Sequence, residues 1–492
     1  MTGLATRITQ IPLPIRLGVL ASGIVGMGLA LALLLTSPAQ AATASFLAAL
    51  FLLVALAVNP LGGFLIWLLS HPFTMLTVNI KLGESVPDLS LARICIGFLV
   101  VLILAQAAIG KRKLHGVTKV EIAFLLFVVG FGASMVNVLT PANMLQTLFD
   151  QWVAPLIAYW IVKNLVADRR TLDRALKILL VIGAYSSAYM LYELNTGNVL
   201  FLSNKPVFQF YGETSLRIVR GLYGTTLIFG LLFNWLLPIA VHYFLKAPTL
   251  AKKALYGAVV GLMLAGDLFT YKRTTWIALV VSFLLMQWYY PRLRRFFIVL
   301  LVVVAGVMAF AWDRVSQSEV YTERAANEGD WNTANGRTDG WTLAWEMWKE
   351  KPLFGQGYNK FDEVTGLPGE ENDYLHILVA SGLAGFVPYM AFYIFVFAGS
   401  LQVYRQIGTN KELFVDREMM IVFWGLYSTY FVTAMSSSGN DGHTMANFVF
   451  FALMGAMVGS QMPRLVQSPP HARGLLRWLI TAGSNPQNAP LT

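Results

Sequence analysis

Cysteine occurs once in the 492 residues, at Cys95, which excludes an internal disulfide and any metal site built from several thiolates. Charge is equally scarce. Only 13% of the residues are Asp, Glu, Lys or Arg while 56% are hydrophobic, and a globule of that composition could not cover itself with polar surface in water. The Gly-x-Gly in "PLFGQG" (352–357) is no phosphate loop, because no strand precedes it and no Lys-Ser/Thr pair follows. Its Pro352 and two glycines read instead as a helix stop and a tight turn.

What the chain has in quantity is apolar runs. A membrane-spanning helix takes about 20 mostly apolar residues. The stretches 17–35, 90–109, 121–139, 176–193, 223–245, 274–290, 296–312 and 417–435 qualify outright. Further spans are expected at 45–58, 60–78, 144–163, 254–271, 374–399 and 445–462. The expected fold is therefore all-α, a polytopic membrane bundle of twelve to fourteen helices forming one integral membrane domain over 1–492. No internal repeat is visible, and no soluble domain is expected. The start "MTGLATRITQIPLPIRLG" has the basic residues of a signal peptide, but so many later spans favour an uncleaved first helix.

The net charge of +10 comes from Lys and Arg in short loops, the pattern of a membrane protein rather than of a nucleic-acid binder, so no nucleic-acid partner is expected. From Lys111 onward, successive basic clusters are separated by two spans and fall on one side, which the positive-inside rule makes cytoplasmic. The other side receives 195–222, the turn at 271–273, the loop 313–371 and "SSSGNDGH" at 436–443. From Asp313 to Glu371 that loop carries twelve acidic residues against six basic ones, in keeping with a periplasmic placement. Within it, Trp341, Trp345 and Trp348 line one face of an amphipathic helix, which lies either on the bilayer surface or on the protein's own helix ends.

Three stretches carry a resemblance. "SLRIVRGLYGTT" (215–226) is similar to an Arg-containing approach to a central span, and "YKRTTWIALVVSFLL" (271–285) to a Ser-Arg-small motif opening a helix pair. "GRTDGWTLAWEMWKEKPLFGQGYNKF" followed by "ENDYLHILVASGLAG" resembles a large periplasmic loop and a His-Asn-x-x-Leu helix start with a trailing Gly-x-x-Gly. Together, over roughly 200–400, they resemble the O-antigen ligase and Wzy-type polysaccharide polymerase superfamily of bacterial integral membrane glycosyltransferases. One departure stands out: Glu371 occupies the position of the motif's His, and the nearest histidine is His376. The departure favours the polymerase branch, where this motif varies more.

The resemblance implies an inner-membrane enzyme that transfers a glycan from undecaprenyl pyrophosphate to an acceptor sugar at the periplasmic face, with no cofactor and no metal. Such a reaction needs cations for the pyrophosphate and a base for the acceptor hydroxyl. Arg217, Arg220, Arg273 and Arg337 are the candidate cations, with Lys272 as an accessory, since the planar guanidinium grips phosphate in bidentate fashion. Arg273 is otherwise a side chain reaching out from a helix end, and Arg337 otherwise a solvated loop charge. Glu371 and His376 are the candidate bases, Glu371 first because of its motif position, with Asn372, Asp373 and Tyr374 in support. Helical spacing puts Asp373 and His376 on one face. The plainer alternative makes Asp373 a helix cap and His376 a contact between helices. Gly382 and Gly385 read as close-approach positions between helices. Asp150 and Gln151 are either a buried polar pair or part of a substrate path, and Asp441 and His443 either line the acceptor path or form a turn. The partners expected are the lipid-linked oligosaccharide donor, a glycan acceptor, the bilayer and a chain-length regulator protein. A ligase acting on lipid A core is the near alternative. A lipid-linked sugar transporter would instead spread charge through the middle of its spans.

Overall fold

A computed structural model of the protein describes residues 52–77, 79–80, 89–136, 139–197, 208–211, 214–217, 226–270, 272–289, 334–366, 372–410, 413–435 and 443–461, with scattered positions between 291 and 309. The spans expected at 17–35 and 296–312 lie outside them or are described only in fragments.

Residues 52–58 are helical, and the labelled helices follow. They are α1 (Pro60–Thr77), α2 (Leu91–Ala108), α3 (Lys119–Met135), α4 (Pro141–Leu148), α5 (Ala154–Leu165), α6 (Arg169–Thr196), α7 (Thr226–Lys246), α8 (Leu250–Leu268) and α9 (Arg273–Tyr289). After these come α10 (Ala334–Glu350), the short α11 (Lys360–Thr365), α12 (Asp373–Gln406), α13 (Arg417–Ala434) and α14 (His443–Gln461). A π turn, Phe149–Val153, joins α4 to α5. Two antiparallel ribbons, Asn79–Ile80 with Leu89–Ser90 and Phe208–Tyr211 with Thr214–Arg217, complete the described backbone. This is a helical membrane protein. On length and composition α6, Ile228–Lys246 and α12 can cross a membrane, and α1, α2, α9 and α14 hold shorter apolar stretches. Leu125, Leu126, Val129, Ile277, Ile394 and Phe395 are turned outward, a surface suited to lipid tails.

Local chemistry sets the helix starts. Thr118 and Glu121 form a reciprocal capping box on α3, while Asp168, Thr249, Asn372 and Asp416 cap α6, α8, α12 and α13 through side-chain oxygens. The helices then pack in pairs, α3 antiparallel to α12, α7 to α8 and α9 to α13, and α5 parallel to α14, around a core of aromatic rings. Glycines allow the closest approaches: Gly130 of α3 lies against the backbone of Ala384 and Gly385, and Gly455 of α14 against the Tyr159 carbonyl.

One end of the bundle gathers the basic loops. The Arg112 guanidinium donates to the Asn164 carbonyl at 3.2 Å and the His115 N–H to the Asn164 side chain at 2.8 Å. Just beyond, Arg169 (3.1 Å) and Lys246 (2.9 Å) both reach Asp416, and Lys246 also pairs with Glu418 at 2.5 Å. Buried near this end, Lys163 forms an ion pair with Glu121 and donates to the Gly116 carbonyl at 3.0 Å.

Candidate functional site

At the opposite end α12 begins. Asn372 is its N-cap, accepting from the Tyr374 N–H at 3.0 Å and the Leu375 N–H at 3.2 Å. The cap is thus Asn372, and Asp373 is the first helical residue. Asp373 and His376 are buried, 6% and 4% exposed, on one face of the first turn. Tyr374 donates its hydroxyl to the Phe431 carbonyl at 3.2 Å and ties this start to the last turns of α13. Glu371 lies outside the described residues.

The wall facing His376 comes from α3 and from the segment before α12. Its imidazole stands edge-on to the ring of Phe131 (6.1 Å, 63°) and to that of Tyr358 (5.8 Å, 80°). Tyr358 is buried, which pushes its hydroxyl above the ordinary phenol range. Its N–H donates to the Ser134 carbonyl at 3.0 Å, and its hydroxyl is hydrogen-bonded to the Gln151 side chain.

The loop carrying Tyr358 is held by a break in α12. Gly382 has φ 59° and ψ −159°, so the helix is interrupted about 15 Å along its axis from its start. The interruption leaves carbonyls and N–H groups without helical partners, and residues 352–357 supply them. Gln356 N–H donates to Val379 O (2.7 Å) and Gly357 N–H to Ala380 O (3.1 Å), while Leu383 and Ala384 N–H donate to Pro352 O and Leu353 O (both 2.9 Å). A Cβ on Gly382 would come within 2.5 Å of the Leu353 carbonyl, and one on Gly355 within 2.5 Å of the Val379 and Ala380 oxygens. Gly382 is therefore a helix breaker that docks the "PLFGQG" turn, whereas Gly385 packs close to α3 as its sequence suggests. Leu353 and Phe354, at the tip, are exposed beside Leu383 and Val387.

Leading into that turn, α10 buries Ala344 and Met347 against Phe361 and Val379. Trp341 and Trp348 are half-buried, and Trp345 is exposed with its ring 4.5 Å from Trp348. The tryptophan stripe thus borders the face that α10 turns to α12. Arg337 sits half-buried in the first turns of α10, on a helix rather than in a loop.

Lys272 is exposed in the turn between α8 and α9, and Arg273 opens α9, with its side chain outside the described residues. The turn is well fixed: Thr270 Oγ1 (2.6 Å) and Trp276 Nε1 (3.0 Å) donate to the Asp267 carbonyl, Thr275 Oγ1 donates to the Lys272 carbonyl (2.8 Å), and Asn234 Nδ2 donates to the Thr275 carbonyl (2.6 Å). Since α9 runs antiparallel along α13 with Ser282 and Met286 against Gly425, its first residue is level with the last turn of α13. That turn lies beside Phe431, to which Tyr374 is bonded. Arg217 lies in a ribbon strand whose side chains are outside the described residues, as are Arg220 and Asp441 entirely and the side chain of His443. Among the described residues no three His, Cys, Asp or Glu side chains are grouped to hold a metal ion.

Three contributors carry little mark of their role in the sequence. Phe131 and Tyr358 reach His376 from segments remote in the chain, with nothing in the pattern to pair them. Arg93 grips Asp150 in bidentate fashion, Nε to Oδ1 at 3.0 Å and an Nη2 to Oδ2 at 2.5 Å, which resolves Asp150 as an ion-pair member. A charged residue in the first turn of an apolar span was the available signal.

No curated protein matches the chain. Residues 258–390 match the family model described as O-antigen ligase, so the resemblance read from the sequence holds over the stretch from α8 through the first half of α12, which contains the 271–275 turn, α10, Tyr358 and His376.

Proposed function

We propose that the chain is a membrane glycosyltransferase that joins undecaprenyl-pyrophosphate-linked glycan repeat units at the periplasmic end of the bundle, in the bacterial inner membrane. In this reading the acceptor hydroxyl oxygen attacks the anomeric carbon of the donor, the carbon–oxygen bond to pyrophosphate breaks, and undecaprenyl pyrophosphate leaves. The hydroxyl proton passes to Glu371, the residue in the motif's His position, or to His376. Arg217, Arg220, Arg273 and Arg337, with Lys272, neutralise the charge that grows on the leaving pyrophosphate. Asn372, Asp373 and Tyr374 fix the start of α12 from which the base projects. A chain-length regulator is a further partner of the proposed polymerase.

The observation that carries the reading is a coincidence of chemistry and place. Asp373 and His376 are buried at the end of the bundle away from the basic loops, inside the segment that matches the O-antigen ligase model. The positive-inside rule makes that end periplasmic.

The test is transfer by the purified protein. Given a lipid-linked repeat unit alone, a polymerase yields a ladder of products, whereas a ligase yields a single transfer that depends on added lipid A core. Glu371→Gln and Arg273→Ala should each abolish the ladder while the protein still inserts in the membrane. Normal ladders from both variants would exclude the assignment.

A further inference from the structure

We propose that Tyr358 is a positioning residue, held from the N-terminal half of the chain by Gln151 and by the Arg93–Asp150 pair behind it, and that it sets the orientation of the His376 ring. The inference rests on the reading that reaction takes place at the start of α12.

The contacts form a continuous series. Phe131, Tyr358 and His376 make a triangle of edge-on rings, with centroid separations of 6.1 Å (Phe131 to His376), 5.8 Å (Tyr358 to His376) and 5.9 Å (Phe131 to Tyr358). An imidazole wedged between two such edges has little freedom to turn. Tyr358 is fixed at both ends, its N–H on the Ser134 carbonyl at 3.0 Å and its hydroxyl on Gln151. Gln151 belongs to the π turn Phe149–Val153, in which the Ala154 N–H reaches back to the Phe149 carbonyl. A π turn adds one residue to a helical turn and so redirects the side chains it carries. Neighbouring side chains hold it on both sides. Asp150 takes the fork of Arg93 from α2, and Trp152 is buried among Phe127, Phe131 and Tyr389, at 4.7, 6.1 and 5.9 Å. Between these two fixed neighbours, Gln151 is hydrogen-bonded to Tyr358.

Arg93, Phe131, Ser134 and Gln151 all lie outside the stretch 258–390 that matches the family model. The N-terminal helices therefore supply a wall of the site and set the angle of a ring borne by the matched segment. Orientation matters because a base acts only within hydrogen-bond reach of the proton it takes, about 2.6–3.2 Å.

The experiment uses the full chain in nanodiscs with labelled histidine, the His376 ring signal being assigned by its loss in His376→Gln. Tyr358→Phe keeps the aromatic ring but removes the hydroxyl, and Gln151→Leu removes the other side of the same bond. Both are expected to move the His376 ring-proton shift, to leave the unfolding temperature unchanged, and to lower kcat by about tenfold or more with KM within twofold. Arg93→Asp should disturb the same signal, and adding Asp150→Arg should restore it. A His376 signal unmoved by both Tyr358→Phe and Gln151→Leu overturns the inference. Full turnover in His376→Gln would sink the catalytic reading of His376 instead, and the ring shift would still decide whether Tyr358 orients it.

Discussion

Lys163 is fully buried, its ammonium paired with the Glu121 carboxylate and donating to the Gly116 carbonyl, while the Tyr159 hydroxyl donates to Glu121. Removing one member of such a pair leaves an uncompensated charge, at a cost of about 3–5 kcal/mol, whereas removing both can be nearly neutral. Lys163→Met should therefore lower the unfolding temperature in detergent sharply, and Lys163→Met with Glu121→Gln should recover most of the loss. Asp416 behaves differently because it is half in water. Burial alone would raise its carboxyl, but the hydrogen bond from Lys246, that from the Met419 N–H and the nearby Arg169 outweigh burial and hold it below the usual carboxylate range. A carboxyl depressed in the folded state contributes stability above its unfolded value, about pH 3.9, and loses it as pH falls through the folded value. The unfolding temperature should thus drop below about pH 4, modestly because the group is solvent-screened. Asp416→Asn, which keeps a cap for the Met419 N–H, should flatten that limb of a thermal-unfolding profile taken against pH.

At the scale of the element, the spans were legible and the break in α12 was not. Apolar runs of about 20 residues announce helices without knowledge of their neighbours, and the expected 60–78, 90–109, 254–271, 417–435 and 445–462 coincide closely with α1, α2, α8, α13 and α14. Gly382 carries no such signal. In a Gly-x-x-Gly pair it reads as a contact glycine, and only the docked 352–357 turn reveals that its positive φ is needed. The consequence is testable with Gly382→Ala. The φ 59°, ψ −159° conformation is open essentially to glycine alone and costs an L-residue about 1–3 kcal/mol, and the new Cβ would meet the Leu353 carbonyl and the Gly355 nitrogen at 2.5 and 2.6 Å. The expected outcome is release of the turn: faster hydrogen exchange at the Gln356 and Gly357 amides and new proteolytic cleavage between 352 and 366, with α13 and α14 still protected.

Across the whole molecule, the sequence could place charges on sides but could not assemble a site from distant helices. Asp373 and His376 were visible because they share one turn, whereas Phe131 and Tyr358 meet His376, and Gln151 meets Tyr358, only through packing of α3, the π turn and the docked loop. The side assignment itself rests on charge and can be read directly, because the lone thiol is out of the way: Cys95 is fully buried in α2. The natural chain therefore already serves as a background for introduced cysteines. Leu250, 85% exposed at the basic end, and Val364, 62% exposed near the start of α12, are surface positions at opposite ends of the bundle. If the basic end is cytoplasmic, a membrane-impermeant maleimide should label Val364→Cys in intact spheroplasts and Leu250→Cys only after lysis, with no labelling of the unsubstituted chain. The reverse pattern would put His376 on the cytoplasmic side, away from where a periplasmic donor could reach it.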